Sequence, residues 1–252
     1  MIYLKILRGT KDNQYWETFS VEQGKGLNLI AALLEIQKKA VNNDGEKTTP
    51  VAWESGCLEE VCGACSMLIN GVPRQACTAL LDEIVQETKK NSITVAPLTK
   101  FPLIRDLIVD RAAMFESLKR VRAWVKIDGC YDTGPGPKLT PAQQEVMYRL
   151  STCMTCGCCS ESCPQVSEKS SFMGPAPIAQ VRLFSIHPTG KNDHGERTRE
   201  LQKEGGVASC GNAQNCVRVC PKKVPLTDSI AEAGRDTTVQ AINDLFGLQE
   251  RS

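Results

Sequence analysis

Eleven of the 13 cysteines in this 252-residue chain fall into three spaced groups. The first is Cys57-x4-Cys62-x2-Cys65, followed by Cys77. The second is Cys153-x2-Cys156-x2-Cys159-x3-Cys163-Pro164, and the third is Cys210-x5-Cys216-x3-Cys220-Pro221. A fold that suits this chain has to gather each group, whatever helices and strands carry it. The count is odd, and MIYLKILRG at the start alternates like a strand rather than reading as a secretory signal. A reducing compartment is therefore expected, which argues against a disulfide scaffold. Thiols at short regular spacings then point to metal.

The spacings distinguish the kinds of metal centre. The first group has the plant-type [2Fe–2S] pattern and the second the bacterial two-cluster run, in which the fourth cysteine serves the other cluster. On that template Cys153, Cys156 and Cys159 join the remote Cys220, and Cys163 joins Cys210 and Cys216. Aligned to the same run, the third group carries Ala213 where a second cysteine would stand. One corner of that cube lacks a thiolate, so the ligand count predicts a [4Fe–4S] on Cys153, Cys156, Cys159 and Cys220. It predicts a [3Fe–4S] on Cys163, Cys210 and Cys216, and a [2Fe–2S] on Cys57, Cys62, Cys65 and Cys77. The competing reading of the first group is structural zinc. Zinc favours two paired cysteine knuckles, whereas one side of this site is the lone Cys77. Gly56, Gly63 and Ala64 let backbone approach the cluster and aim N–H groups at its sulfur. Glu59 and Glu60 read as solvated, Cys158 as a buried neighbour, the isolated Cys130 as a core residue, and His187 and His194 as surface or capping residues.

Strands are expected at Ile2–Arg8, Tyr15–Val21, Ser66–Ile69 and Ser92–Ala96, with a further one at Ile84–Gln86 and a hairpin turn at Asn70-Gly71. An amphipathic helix is expected over Asn28–Val41, with Leu34 on its apolar face. After Pro102 the pattern reads as helical, over Leu103–Val121. Thr140-Pro141 starts another helix as N-cap and first residue. Gly174-Pro175-Ala176-Pro177 opens a helix over Ile178–Ile186, and one more runs through Ile230. The reading is α+β, with domains 1–104 and 105–252. Basic and acidic residues balance at 30 against 29, so neither the charge nor its distribution marks a nucleic-acid binder. No apolar run approaches the roughly 20 residues of a membrane span, so any membrane link is expected through partners. No group reads as a catalytic acid, base or nucleophile.

With these residues in place, the chain resembles the iron–sulfur subunit of succinate dehydrogenase and fumarate reductase, in the order and distances of all three groups and in Gly174-Pro-Ala-Pro. The resemblance implies a β-grasp ferredoxin domain followed by an α-helical ferredoxin domain. It implies an FAD-containing flavoprotein partner nearest the [2Fe–2S] and a membrane cytochrome b and quinone nearest the [3Fe–4S]. The implied location is peripheral, on the cytoplasmic side of a bacterial cell membrane. Ubiquinone-using members carry Cys-Pro-Ser-x-Trp-Trp and a His after the first cysteine of the third group. Here the residues are Cys163-Pro164-Gln165-Val166-Ser167-Glu168, and Gly211 follows Cys210. That departure is similar to members with one dihaem anchor and menaquinone as acceptor. Glu168–Gly174 and Gly211–Asn215 are expected to face the anchor. Spacing leaves the direction of flow open between succinate oxidation and fumarate reduction.

Overall fold

The computed structural model describes residues 1–126 and 139–247. Cys130 and the Gly134-to-Pro137 turn lie outside the described residues. The chain divides into two compact units, one of residues 1–111 with 154–161, the other of 112–153 with 162–252.

The first unit is a five-stranded sheet over a helix. β1 (Ile2–Thr10) pairs antiparallel with β2 (Asn13–Val21) through a turn at Lys11-Asp12. α1 (Leu29–Lys39) follows, then β3 (Ser66–Ile69), β4 (Val72–Gln75), α2 (Leu81–Thr88) and β5 (Ser92–Ala96). The sheet order is β2-β1-β5-β3-β4, with β1 and β5 parallel. Period-two alternation buries Ile2, Leu4 and Ile6 of β1, and Ile93 and Val95 of β5. α1 lays Leu29, Ile30, Ala32, Leu33 and Ile36 on them. Leu34, read from the sequence as part of that face, is 51% exposed. Asn70 (φ 50°) and Gly71 (φ 78°) supply the paired left-handed residues of the β3–β4 turn.

Two further sequence expectations fail. Ile84–Gln86 is not a strand but the middle of α2, because Leu81 and Ile84, three apart, both bury on one helix face. Leu103–Val121 is not one helix. It opens as a hairpin of β6 (Leu103–Arg105) and β7 (Ile108–Val109), and only Ala112–Arg120 forms a helix, α3. The left-handed Asp106 (φ 50°) turns that hairpin. Its carboxylate accepts from Gly9 N (2.7 Å) and Ala52 N (2.8 Å) and pairs with Arg8 Nε at 3.1 Å. Both side chains are almost wholly buried. Arg8 also pairs with Glu17 at 2.5 Å, so the buried guanidinium is balanced by two carboxylates. The buried pair fixes the chain at Ala52, the start of the run into the first cysteine loop.

The second unit is helical. After α3 come α4 (Pro141–Ser151), α5 (Cys158–Ser162, of which residues 158–161 belong to the first unit), α6 (Pro175–Ile186), α7 (His194–Gln202), α8 (Asn215–Arg218) and α9 (Leu226–Phe246). Thr140 and Gln143 form the reciprocal cap of α4 with Pro141 at its first position, as the sequence predicts. α6, started by Gly174 at φ 88° and Pro175, buries Ala176, Ile178, Ala179 and Val181 and packs on α9, α7 and α4. Arg197, fully buried, donates to the carbonyls of Arg122 (3.0 Å), Trp124 (2.8 Å) and Gly190 (2.6 Å). α9 runs 21 residues, well past Ile230, to a left-handed cap at Gly247.

Candidate iron–sulfur sites

The first cysteine loop folds around its own sulfur atoms. Leu58, Glu60 and Gly63 take positive φ (62°, 58° and 71°), and the winding turns successive N–H groups inward. Glu59 N and Val61 N each donate to Cys57 Sγ at 3.3 Å. Cys57 N and Ala64 N donate to Cys62 Sγ at 3.4 and 3.5 Å. The Glu59 and Val61 amides hold the Cys57 thiol down to about 7, toward the thiolate that binds metal. Cys65 is buried, and burial pushes its thiol up to about 12. Cys77 comes from the second segment. Asn28, the cap of α1, accepts from Ala31 N (2.8 Å) and donates to Cys77 O (3.0 Å), so one side chain ties the helix start to the fourth cysteine. Glu60 accepts from Thr78 Oγ1 at 2.6 Å.

Glycine leaves room for close contact at two points, tightly at Gly56 and of necessity at Gly63. A Cβ on Gly56 would stand 3.1 Å from Cys62 Sγ. A Cβ on Gly63 would stand 2.7 Å from Met154 O and 2.8 Å from Cys156 Cα, at a φ that other residues resist. Within the first unit, then, the loop lies directly on the Met154–Cys156 turn. Cys158, fully buried, joins the two: Gln75 Nε2 donates to its sulfur (3.6 Å) and to Ser66 Oγ (2.7 Å), beside Cys65. Hydrogen bonding from Cys158 lowers the Cys156 thiol to about 7, while Cys158 itself is pushed up by the same contact and by burial. Glu161 seats this segment by accepting from Thr99 N (3.0 Å), Thr99 Oγ1 (2.6 Å) and Lys100 N (3.0 Å).

Of the four cysteines expected to share a cube, Cys156 and Cys159 fall in the first unit and Cys153 and Cys220 in the second. Cys220 Sγ accepts from Val224 N at 3.4 Å. The remaining three, Cys163, Cys210 and Cys216, lie together in the second unit around one small cavity, with Ala213 on the same wall. Asn215 Nδ2 donates to Ser162 O at 3.0 Å, tying the start of α8 to the residue before Cys163. Cys216 is buried, and burial raises its thiol. Gln165 also lines the cavity, and a Cβ on Gly211 would stand 2.5 Å from its Nε2. The glutamine fills the room that a side chain at 211 would need. His187, as the sequence predicts, caps: its Nδ1 accepts from Thr189 N and Gly190 N, both at 3.2 Å.

No disulfide joins any of the twelve described cysteines, and among the described residues no three His, Cys, Asp or Glu side chains converge on a single ion. The donor sets hold sulfur alone, backbone N–H groups point at it, and glycines stand where a Cβ would collide. These features fit iron–sulfur clusters. Sequence reasoning missed Asn28, Gln75, Asp106, Arg111 and Glu161, all polar residues whose partners lie far along the chain.

Known proteins agree with this chemistry. Residues 3–116 match the family described as a 2Fe-2S iron-sulfur cluster binding domain, and residues 149–224 match a 4Fe-4S dicluster domain. The succinate dehydrogenase iron-sulfur subunit of Bacillus subtilis (strain 168) is 56% identical over 233 residues, 92% of this chain and 90% of that protein. The fumarate reductase iron-sulfur subunit of Escherichia coli O6:H1 is 33% identical over 177 residues, 69% of each. In fold, the chain is similar to one in the apo Sdh1 complex of Mycobacterium smegmatis, with TM-score 0.79 at 23% identity over 95% of this chain and 96% of that one. A sulfur-lined loop under a five-stranded sheet, a helical unit carrying two further cysteine sets, and these similarities make one statement: the chain belongs to the family of succinate dehydrogenase and fumarate reductase iron–sulfur subunits.

Proposed function

We propose that this chain conducts electrons singly from the flavin of a catalytic subunit, through [2Fe–2S], [4Fe–4S] and [3Fe–4S] centres, to a membrane quinone site. The observation that carries it is the set of three all-sulfur groups in one chain, in a protein 56% identical to a succinate dehydrogenase subunit. The clusters supply one-electron storage, so that a pair of electrons released together can be passed on one at a time. The chain's own residues hold the cysteines, aim N–H groups at sulfur and exclude water by burial. The ligands proposed are Cys57, Cys62, Cys65 and Cys77 for the first centre, Cys153, Cys156, Cys159 and Cys220 for the second, and Cys163, Cys210 and Cys216 for the third.

The partners are an FAD flavoprotein and a membrane anchor. Among the described residues no helix is long and apolar enough to cross a membrane, so attachment runs through that anchor, on the cytoplasmic side. We assign the anchor to a single dihaem cytochrome b and the acceptor to menaquinone. The support is Ser167, Glu168 and Gly211, at the positions where ubiquinone-linked relatives place Trp, Trp and His. The direction is succinate oxidation, because identity to the succinate dehydrogenase subunit is 56% against 33% for the fumarate reductase subunit. Capture of the tagged chain from detergent-solubilised membranes of its own bacterium should bring down a flavoprotein and one dihaem cytochrome b. Succinate should then reduce the centres, as read by electron paramagnetic resonance. Capture without a flavoprotein, or centres that succinate leaves oxidised, would overturn the reading.

A further inference from the structure

One half-buried cation reaches the first cysteine loop. Arg111, its side chain 14% exposed, donates from Nη1 to Gly63 O at 2.6 Å and from Nη2 to Ala64 O at 3.0 Å. Both carbonyls lie between Cys62 and Cys65. The Gly63–Ala64 peptide group is held at both ends: its oxygen takes the guanidinium, and its N–H, on Ala64, donates to Cys62 Sγ at 3.5 Å. A charge bonded to a carbonyl polarises the whole peptide group and strengthens its N–H as a donor. Glu54 stands on the outer side of the guanidinium, its Oε2 3.3 Å from Nη2, and is 48% exposed. The positive charge is therefore only partly balanced, and its balance depends on a surface carboxylate.

We propose that Arg111 is a positioning residue for the [2Fe–2S] centre, which holds the Gly63–Ala64 peptide toward Cys62 and, through its charge, makes the centre easier to reduce. The inference rests on the assignment of Cys57, Cys62, Cys65 and Cys77 to that centre. The reduced centre carries one more negative charge than the oxidised one, so a nearby cation and a stronger N–H···S bond both favour it. Glu54 opposes that effect. A purely mechanical brace would hold the loop equally well whatever its charge balance.

The test is a redox titration of the [2Fe–2S] paramagnetic signal in the full-length, cluster-loaded chain. Arg111→Gln should lower the equilibrium constant for reduction about tenfold, about 59 mV for one electron. Arg111→Lys, which keeps the charge and one hydrogen bond, should recover most of that loss. Glu54→Gln should shift it the opposite way, raising the constant about two- to threefold at full signal intensity. Potentials unchanged in Arg111→Gln and Glu54→Gln would overturn the proposal and leave Arg111 a brace. If Arg111→Gln loses the cluster, Glu54→Gln decides alone: an upward shift supports the proposal, and no shift or a downward one overturns it. A wild-type chain with no [2Fe–2S] signal would instead sink the ligand assignment.

Discussion

Ala213→Cys should abolish the oxidised three-iron paramagnetic signal and add about one iron per chain. Ala213 lines the same cavity as Cys163, Cys210 and Cys216, at the place where the two-cluster template puts a thiolate. Three sulfur ligands leave the fourth iron weakly held, and a fourth thiolate from position 213 would retain it. The added negative charge should also make the centre harder to reduce, so electron delivery to quinone should slow in membranes carrying the variant. Iron analysis and low-temperature spectra of the air-oxidised protein read both effects. A variant that keeps the full three-iron signal would show that residue 213 does not face the open corner.

The second large effect is expected at Gly63. A methyl group there meets Met154 O and Cys156 Cα, both backbone atoms, under 3.0 Å away, and does so at φ 71°. The left-handed backbone costs about 1–2 kcal/mol for a residue with a Cβ, and overpacking adds about 1–3 kcal/mol. Gly63→Ala should therefore lose most of its [2Fe–2S] signal. Gly71→Ala separates the two contributions. Gly71 has a similar φ of 78°, but nothing within 4 Å of an added Cβ. It should keep its cluster and lose only a little stability. Equal cluster loss in both variants would mean that backbone strain, and not contact with the Met154–Cys156 turn, governs the loop.

What could be read from the sequence was whatever depends on near neighbours. The Asn70-Gly71 turn, the Thr140-Pro141 helix start and the alternation of β1 all have local causes, and each stands in the structure. Leu103–Val121 was misread because its short apolar steps satisfy a helical period. What breaks it is Asp106, whose left-handed turn is held by Gly9, Ala52 and Arg8, up to 98 residues away in sequence. Leu34 was misplaced because a helix face broad enough to include it is wider than the face the sheet covers. Around the candidate sites, the cysteine pattern was legible and the residues that support it were not. Gln75, Arg111 and Glu161 are ordinary polar residues until a distant segment brings a sulfur, a carbonyl or an N–H to them.

One chain that holds three different clusters through thiolates alone has a fixed iron and sulfide content. Iron and sulfide analysis of the anaerobically isolated wild-type chain, with spectra taken oxidised and reduced, tests it most directly. About nine irons per chain are expected, with a three-iron signal when oxidised and a [2Fe–2S] signal on reduction. A colourless protein that contains zinc and no acid-labile sulfide would contradict it.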